Sequence, residues 1–504
     1  MEELIALSSI ITRQKIKQIK IISENSDMTG KSYQLYKAIA DQKVMSDKDA
    51  IALLGYKNVK SVAYQKLKQR LLQRLINTVF FIDINQYSKS TYEKVLHRCY
   101  RNWAAAKLVF DRLQRKTAIV LFESVLRAAI EYDITDLILL ISKDLRRHYA
   151  TFEINPKKTD YLDSLIEQNI QYTQQEIHVE KVYSELFKLL FKATPKSDII
   201  QKFAHEIEKI KENIPKNDRY WFNFFAYNSI YFYHYFLKEN DQLEIYSKKA
   251  ISFFKMKNGF SPIALFSFSQ KLGVSYLHSN QIFNAKEVFY ESLNMGPTAG
   301  SINWYNIHSY IFLTHLVLKE YAQAYSIIIN TSTHPKFNRL NESYKEPWLI
   351  KEAYVHFLIR MGKIEISNED GKSLRPFRLG RFLNEVPNFS KDKRGLNIAI
   401  LIVQMLFLIL DKKYSKVIDR IDALKQYSYR YLRKNETFRA NCFIKMLLKV
   451  PEVDYHPVAV KRHTAELHKK LLDSSMNLSE SSPETEIIPY ENLWEIVMEV
   501  IGDR

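Results

Sequence analysis

An all-α chain of stacked helix pairs is the fold class that the sequence predicts, and three observations carry it. Only 11 glycines and 13 prolines punctuate 504 residues, too few for the turn-rich spacing of a β-sandwich or of a long α/β chain. Apolar residues make up 46% of the chain, enough to bury a large core, and through much of its length they recur at helical spacing. A small residue followed by an aromatic one returns where two antiparallel helices would cross, with 32 Tyr and 29 Phe available as large fillers. The spacing suggests three regions: an N-terminal helical region (1–95), a solenoid (96–450), and a C-terminal region (451–504) with a helix, an acidic linker and a capping helix.

Residues 1–22 can form one helix, with Leu4, Leu7, Ile11 and Ile22 on one side and Arg13, Lys17 and Lys20 opposite. Glu2 and Glu3 stand where a signal peptide would be basic, so a cytoplasmic location is expected. Tyr33–Ala40 is a short second helix, Ser46 an N-cap for 47–54, and Gly55 a turn before a long basic helix over about 60–79. The layout invites comparison with a helix-turn-helix, Ala50 and Leu54 being the anchors of its first helix, although Val62 lies one position past the place of the later anchor. Lys57, Lys60, Lys66, Lys68, Arg70 and Arg74 follow with no acidic residue from 57 to 74, a set able to meet phosphates. The alternative is a solvated basic face on a structural helix whose core side is Leu67, Leu71, Leu72 and Leu75.

From residue 96 the helix-pair pattern begins. Ala106 and Ala118 are twelve residues apart, with Phe122 four further on, and the segment 158–193 is a long amphipathic stretch. Segments 198–212 and 219–237 continue the helical reading, the second so dense in aromatics that they read as core fillers. A unit near 228–256 keeps small Ala250 before Phe253 and Phe254. In 266–299 the pattern is clearest: Leu272, Gly273 and Tyr276, then Ala285 and Phe289, then Gly296 and Pro297 as a stop. Gly273 and Ala285 are small where two helices must approach. Another unit holds Trp304, Tyr321 and Ala324, and a first helix follows through 348–364. A late unit pairs 396–410 with 412–427; the apolar run LNIAILIVQMLFLIL is 15 residues long, short of the roughly 20 needed to span a bilayer and suited to a helix buried on all sides.

The L-G-x2-Y, A-x3-F and terminal Pro spacing of 266–299 resembles the tetratricopeptide (TPR) repeat, with Ser269 in place of the usual tryptophan. The chain also looks like bacterial proteins of similar length with TPR-type repeats. The resemblance implies a right-handed superhelix with a concave groove for peptides or helices. Gln270 and Val274 stand at groove-side positions of the repeat's first helix, so the lysine/asparagine pattern of chaperone-tail-binding TPRs is absent there.

Residues 367–395 interrupt the rhythm. Arg375, Arg378 and Arg381 recur at three-residue steps, followed by Lys391, Lys393 and Arg394. Guanidinium groups at that spacing suit bidentate contact with carboxylates or phosphates, or pair with acids of the chain itself.

The motifs of common chemistry are missing: no G-x4-GK[ST] loop, G-x-S-x-G elbow or H-E-x-x-H pair occurs. The triplet GKS appears at Gly30 and Gly371, but Asn25 and Ile366 stand where the loop's first glycine belongs. His463 and His468 are five apart, which turns their rings away from each other on a helix. Glu208 and Glu212 read as helix surface charge. The two cysteines, Cys99 and Cys442, are too few for a disulfide framework or a structural zinc site. No catalytic residue, cofactor or metal is therefore expected.

The formal net charge of +18 favours acidic partners. The expectation is a cytoplasmic, non-enzymatic scaffold that binds an acidic protein or peptide segment. The rival is a nucleic-acid-binding regulator, acting on DNA or RNA or associated with the ribosome, with the basic N-terminal helix as contact and the repeats as sensor. Residues 473–501 carry seven acidic residues and no basic one, and Leu493, Ile496, Val497, Val500 and Ile501 recur at helical spacing beside Trp494. The terminal helix is either a permanent cap on the last repeat or an occupant of the basic groove that competes with a partner.

Overall fold

The computed structural model of the chain describes residues 30–502 except 42, 81–82, 85–89, 111–114, 191–196, 258, 296, 366–373, 387–395, 412–437 and 475–485. The helix expected over 1–22, the stop at Gly296, the second helix of the late unit at 412–427, and Lys391, Lys393 and Arg394 lie outside the described residues. Among the described residues there are twenty-one α-helices and no strand. The chain divides into two compact units, the first holding 1–175 and Gly259–Ser261, the second 176–258 and 262–504.

Unit 1 opens with α1 (Lys31–Ala40), α2 (Asp47–Leu54) and α3 (Val62–Val79) around a small core of Leu35, Ala50, Leu54, Tyr64 and Leu71. Its second core is built by α4 (Thr91–Phe110), α5 (Arg115–Glu131) and α6 (Thr135–Thr151). Ala106, Ala118 and Phe122 are fully buried there, as their twelve- and four-residue spacing requires of a helix crossing. A return of the chain braces this core: Tyr92 N donates to Gly259 O at 2.7 Å, and Phe260 stacks on Tyr92 at 5.4 Å. The long helix α7 (Pro156–Leu189) contributes Leu162 to this core, while Val179, Val182 and Leu186 serve unit 2.

Unit 2 continues with α8 (Ser197–Gln201), α9 (Ala204–Asn213), α10 (Tyr220–Leu237), α11 (Asn240–Met256), α12 (Ile263–His278), α13 (Ile282–Asn294), α14 (Ile302–Val317), α15 (Tyr321–Ser332) and α16 (Glu342–Arg360). From α10 to α16 each helix packs on the next. Ala250 of α11, Ala285 of α13 and Ala324 of α15 are each completely buried, so every second helix of a pair presents one small residue at its crossing. The turns share one device. A residue at positive φ (Asp133, Lys238, Asn280, Lys319, Gly362) is followed by an amide that bonds back five residues, as in Glu239 N to His234 O at 3.1 Å and Gln281 N to Tyr276 O at 2.8 Å. That is the Schellman closure, made here mostly by residues other than glycine. It explains how so few glycines serve so many helices.

The described helices at the end of unit 2 share one large core. They are α17 (Leu379–Glu385), α18 (Leu396–Leu410), α19 (Phe438–Glu452), α20 (Pro457–Asp473) and α21 (Tyr490–Gly502). Residues 346–358 of α16 and 397–409 of α18 are buried without a break, so the apolar run lies inside the protein's own core. No helix among the described residues is long and apolar enough to cross a membrane. α21 inserts Leu493, Trp494, Ile496, Val497 and Ile501 into the same core, and Tyr490 stacks on Phe443 of α19 at 4.6 Å.

Candidate binding surfaces

The three-helix start of unit 1 is built as its residues require. Ser46 Oγ accepts from Asp49 N at 3.3 Å while Asp49 Oδ2 accepts from Ser46 N at 2.8 Å, a reciprocal capping box that starts α2. Gly55 stops it at φ 71°. Tyr64, 1% exposed, anchors α3 and donates to Asp47 Oδ1 at 2.5 Å. Lys68 Nζ reaches the same oxygen at 2.7 Å, and these two bonds hold the Asp47 carboxyl below its usual range. Burial and the Asp47 bond push the Tyr64 phenol up to about 12.

The sequence-derived core side of this helix needs one correction. Leu71 is buried and Leu67 and Leu75 partly so, but Leu72 is 58% exposed. With Tyr64 as anchor, the inward face follows 64, 67, 71 and 75, and residue 72 turns outward. Lys57, Lys60, Lys66 and Arg70 are exposed and Arg74 is half-buried. Between these cations the outward side carries Gln65, Gln69 and Gln73. Of the six cations expected to act together, Lys68 is thus engaged by Asp47, and four stand in solvent.

The Arg-rich insertion behaves differently. Arg375 Nη2 and Arg381 Nε both donate to Glu385, at 3.2 and 2.8 Å, and Arg375 Nε lies 3.9 Å from Glu352. Phe382 is buried and Phe377 stacks on Phe407 of α18 at 4.3 Å, which fixes the insertion to the core. The cleft between it and α16 has room for about 30 Å³, enough for ordered water and far below the roughly 300–1,000 Å³ of a small-molecule site. All three arginines are exposed; Arg375 and Arg381 pair with the chain's own acids, whereas among the described residues no ion pair engages Arg378.

Two patterns escaped the sequence reading. One is a histidine followed five residues later by a glutamate across a helix turn: His148–Glu153, His234–Glu239 and His315–Glu320. In the last, Tyr290 Oη donates to His315 Nε2 at 2.7 Å, His315 Nδ1 donates to Glu320 Oε2 at 2.6 Å, and Lys286 Nζ reaches both Glu320 oxygens. Burial holds the imidazole below its ordinary pKa, and Lys286, with the histidine's own bond, holds Glu320 ionised. Every polar atom of the imidazole is satisfied, and the network ties three helices at one turn. The signal H-x4-E was present in the sequence, but it acquires meaning only once the turn is known to close at five residues. The other pattern is a stripe of basic side chains on α4: Lys94, His97, Arg98 and Arg101.

Among the described residues no group of three or more His, Cys, Asp or Glu is placed to hold a metal ion. Cys99 and Cys442 are buried free thiols, and burial raises both above the usual thiol pKa. Fold and surfaces together define an all-helical protein of stacked helix pairs with exposed cationic faces. No protein-family model, curated protein or solved structure matches the chain.

Proposed function

We propose that the chain is a cytoplasmic, non-enzymatic scaffold whose TPR-like helix pairs hold an acidic segment of a partner protein. The reading rests above all on the repeated crossing in which a small, fully buried residue of each second helix, Ala250, Ala285 or Ala324, meets its neighbour. Such units stack to present extended surfaces and carry no chemistry of their own. An acidic segment would meet Arg378 directly, and Arg375 and Arg381 in exchange for Glu385. Affinity purification from the native cell, with and without nuclease, tests it. A partner retained after nuclease treatment and lost on changing Arg375, Arg378 and Arg381 to Gln supports the scaffold.

A second reading is favoured by one observation, the acid-free outward face of α3 with Lys66 and Arg70 among glutamines. Lysine and arginine serve phosphates there, and glutamine side chains suit base edges. Loss of every partner on nuclease treatment would support this reading over the first.

A further inference from the structure

Unit 1 contains a cavity of about 660 Å³ that neither reading uses. Its volume falls within the roughly 300–1,000 Å³ of small-molecule sites. One wall is a single face of α4. Lys94, His97, Arg98 and Arg101 stand at i, i+3, i+4 and i+7, so they project to the same side over roughly 10 Å of helix. Lys94 lies in the first turn of α4, where the positive end of the helix dipole adds to its charge.

The cations are not consumed by the fold. Carboxylates take up Arg375, Arg381, Arg439 and Lys68, but among the described residues no ion pair engages Lys94, Arg98 or Arg101. Asp83 and Glu131 also line the cavity, which leaves the cations in excess. Grouping like charges in a concavity raises the local potential and favours an anionic occupant. Phe80 and Tyr132 add aromatic surface to the same lining. The Tyr132 ring is braced by Phe260 at 5.7 Å and by Tyr92 at 6.4 Å, so a flat surface is set in place before any ligand arrives.

We propose that this cavity binds a small molecule carrying two or more phosphates, with Lys94, Arg98 and Arg101 on the phosphates. Arginine's planar fork matches phosphate oxygens, and the multiple charge of the ligand answers the cluster where a single carboxylate would not. The same chemistry is offered by a nucleoside diphosphate, whose base the Phe80 and Tyr132 rings would face, and by inorganic diphosphate.

Titration calorimetry of the full chain with ADP, pyrophosphate and adenosine, at about 0.15 M salt, tests the site. ADP or pyrophosphate is expected to bind, and Arg98→Gln with Arg101→Gln to weaken binding at least about tenfold. Arg98→Lys with Arg101→Lys keeps the charge and is expected to retain part of the affinity. Arg70→Gln on α3, outside the cavity, is expected to leave it unchanged. Both arginines are exposed, so circular dichroism should report an unaltered fold for each variant. ADP binding more tightly than pyrophosphate identifies a nucleotide site; equal affinities mean that the phosphates alone are read. The proposal is overturned if neither probe binds below about 1 mM, if adenosine binds as well as ADP, or if the glutamine variant binds like the wild type. None of these results bears on the Arg-rich insertion, so this proposal and the scaffold reading fail separately.

Discussion

Gly273 lies so close to Phe289 that a Cβ placed on it would stand 2.4 Å from Cε1 of the ring. The ring has no room to retreat, because Phe289 is completely buried and stacks on Tyr310 at 5.1 Å with 10° between the planes. Alanine in place of glycine inside a helix would by itself gain about 1 kcal/mol. Overpacking a fixed core costs about 1–3 kcal/mol, so the clash wins. Gly273→Ala is expected to lower the urea midpoint, and Ala285→Leu, on the facing helix, to cost a similar amount. A Gly273→Ala protein as stable as the wild type would show that the two helices have freedom to separate.

The buried histidines give the protein an acid limit. Burial holds His234, His308 and His315 below their ordinary 6.5, and takes His278 down to about 4. The unfolded chain therefore binds these protons at higher pH than the folded one. Stability is full above about pH 6.5 and declines as the pH falls, His278 continuing the loss to about 4. Urea midpoints at neutral pH and in mild acid should differ in that direction, and His278→Gln should reduce the difference. Equal midpoints would mean that the imidazoles are charged in the folded protein.

What was legible in the sequence was local. The Gly273–Ala285–Phe289 spacing, the Ser46 cap and the apolar run 396–410 each follow from residues within one or two helices, and the structure has them as read. Leu72 was misplaced because residues 71 and 72 are only 100° apart on a helix, and the anchor that decides between them, Tyr64, is polar enough to be passed over. The Arg439–Glu486 pair joins residues 47 apart in sequence, and nothing local marks either partner. The α4 stripe reads as an ordinary solvated face until Phe80 and Tyr132 are seen to line one concavity with it. The insertion's arginines were legible as a cluster but not as a site, since their partner Glu385 becomes visible only when the insertion folds back on itself.

If the second functional reading holds, the exposed Lys57, Lys60, Lys66 and Arg70 carry it and Lys68 does not. Lys66→Gln with Arg70→Gln is expected to weaken nucleic-acid binding and to reduce the log–log salt slope by about 2, one for each lost phosphate contact. Lys68→Gln should act chiefly on stability, since Lys68 holds the Asp47 oxygen shared with Tyr64. A wild-type chain that binds neither DNA nor RNA at low salt would remove this reading altogether.

The terminal helix is the last case, and magnitudes decide between cap and regulator. Among the described residues two surface ion pairs, Lys319–Glu495 and Lys363–Glu499, join it to the preceding helix pairs. Exposed pairs of this kind contribute at most about 1 kcal/mol each. Eight apolar residues of 487–501, from Ile487 to Ile501, are buried, and each contributes roughly 1.5–3 kcal/mol relative to exposure. Apolar packing, not charge, holds the segment. Beneath it Arg439, 9% exposed, donates to Glu486, 1% exposed, at 2.7 Å, to Glu491, and to the carbonyls of Leu471 and Ser474. Removing one partner of such a pair costs about 3–5 kcal/mol, because the other charge stays buried. Arg439→Ala is therefore expected to destabilise strongly, and Arg439→Met with Glu486→Leu to recover much of the loss. Deleting 474–504 removes Glu486 and all eight apolar residues at once, leaving Arg439 unpaired and the faces of α18 and α19 open. Loss of the cooperative thermal transition is the expected outcome, whereas Lys319→Ala with Lys363→Ala should shift it little. A truncated chain that melts like the wild type and takes an acidic peptide more tightly would instead make this helix a displaceable regulator.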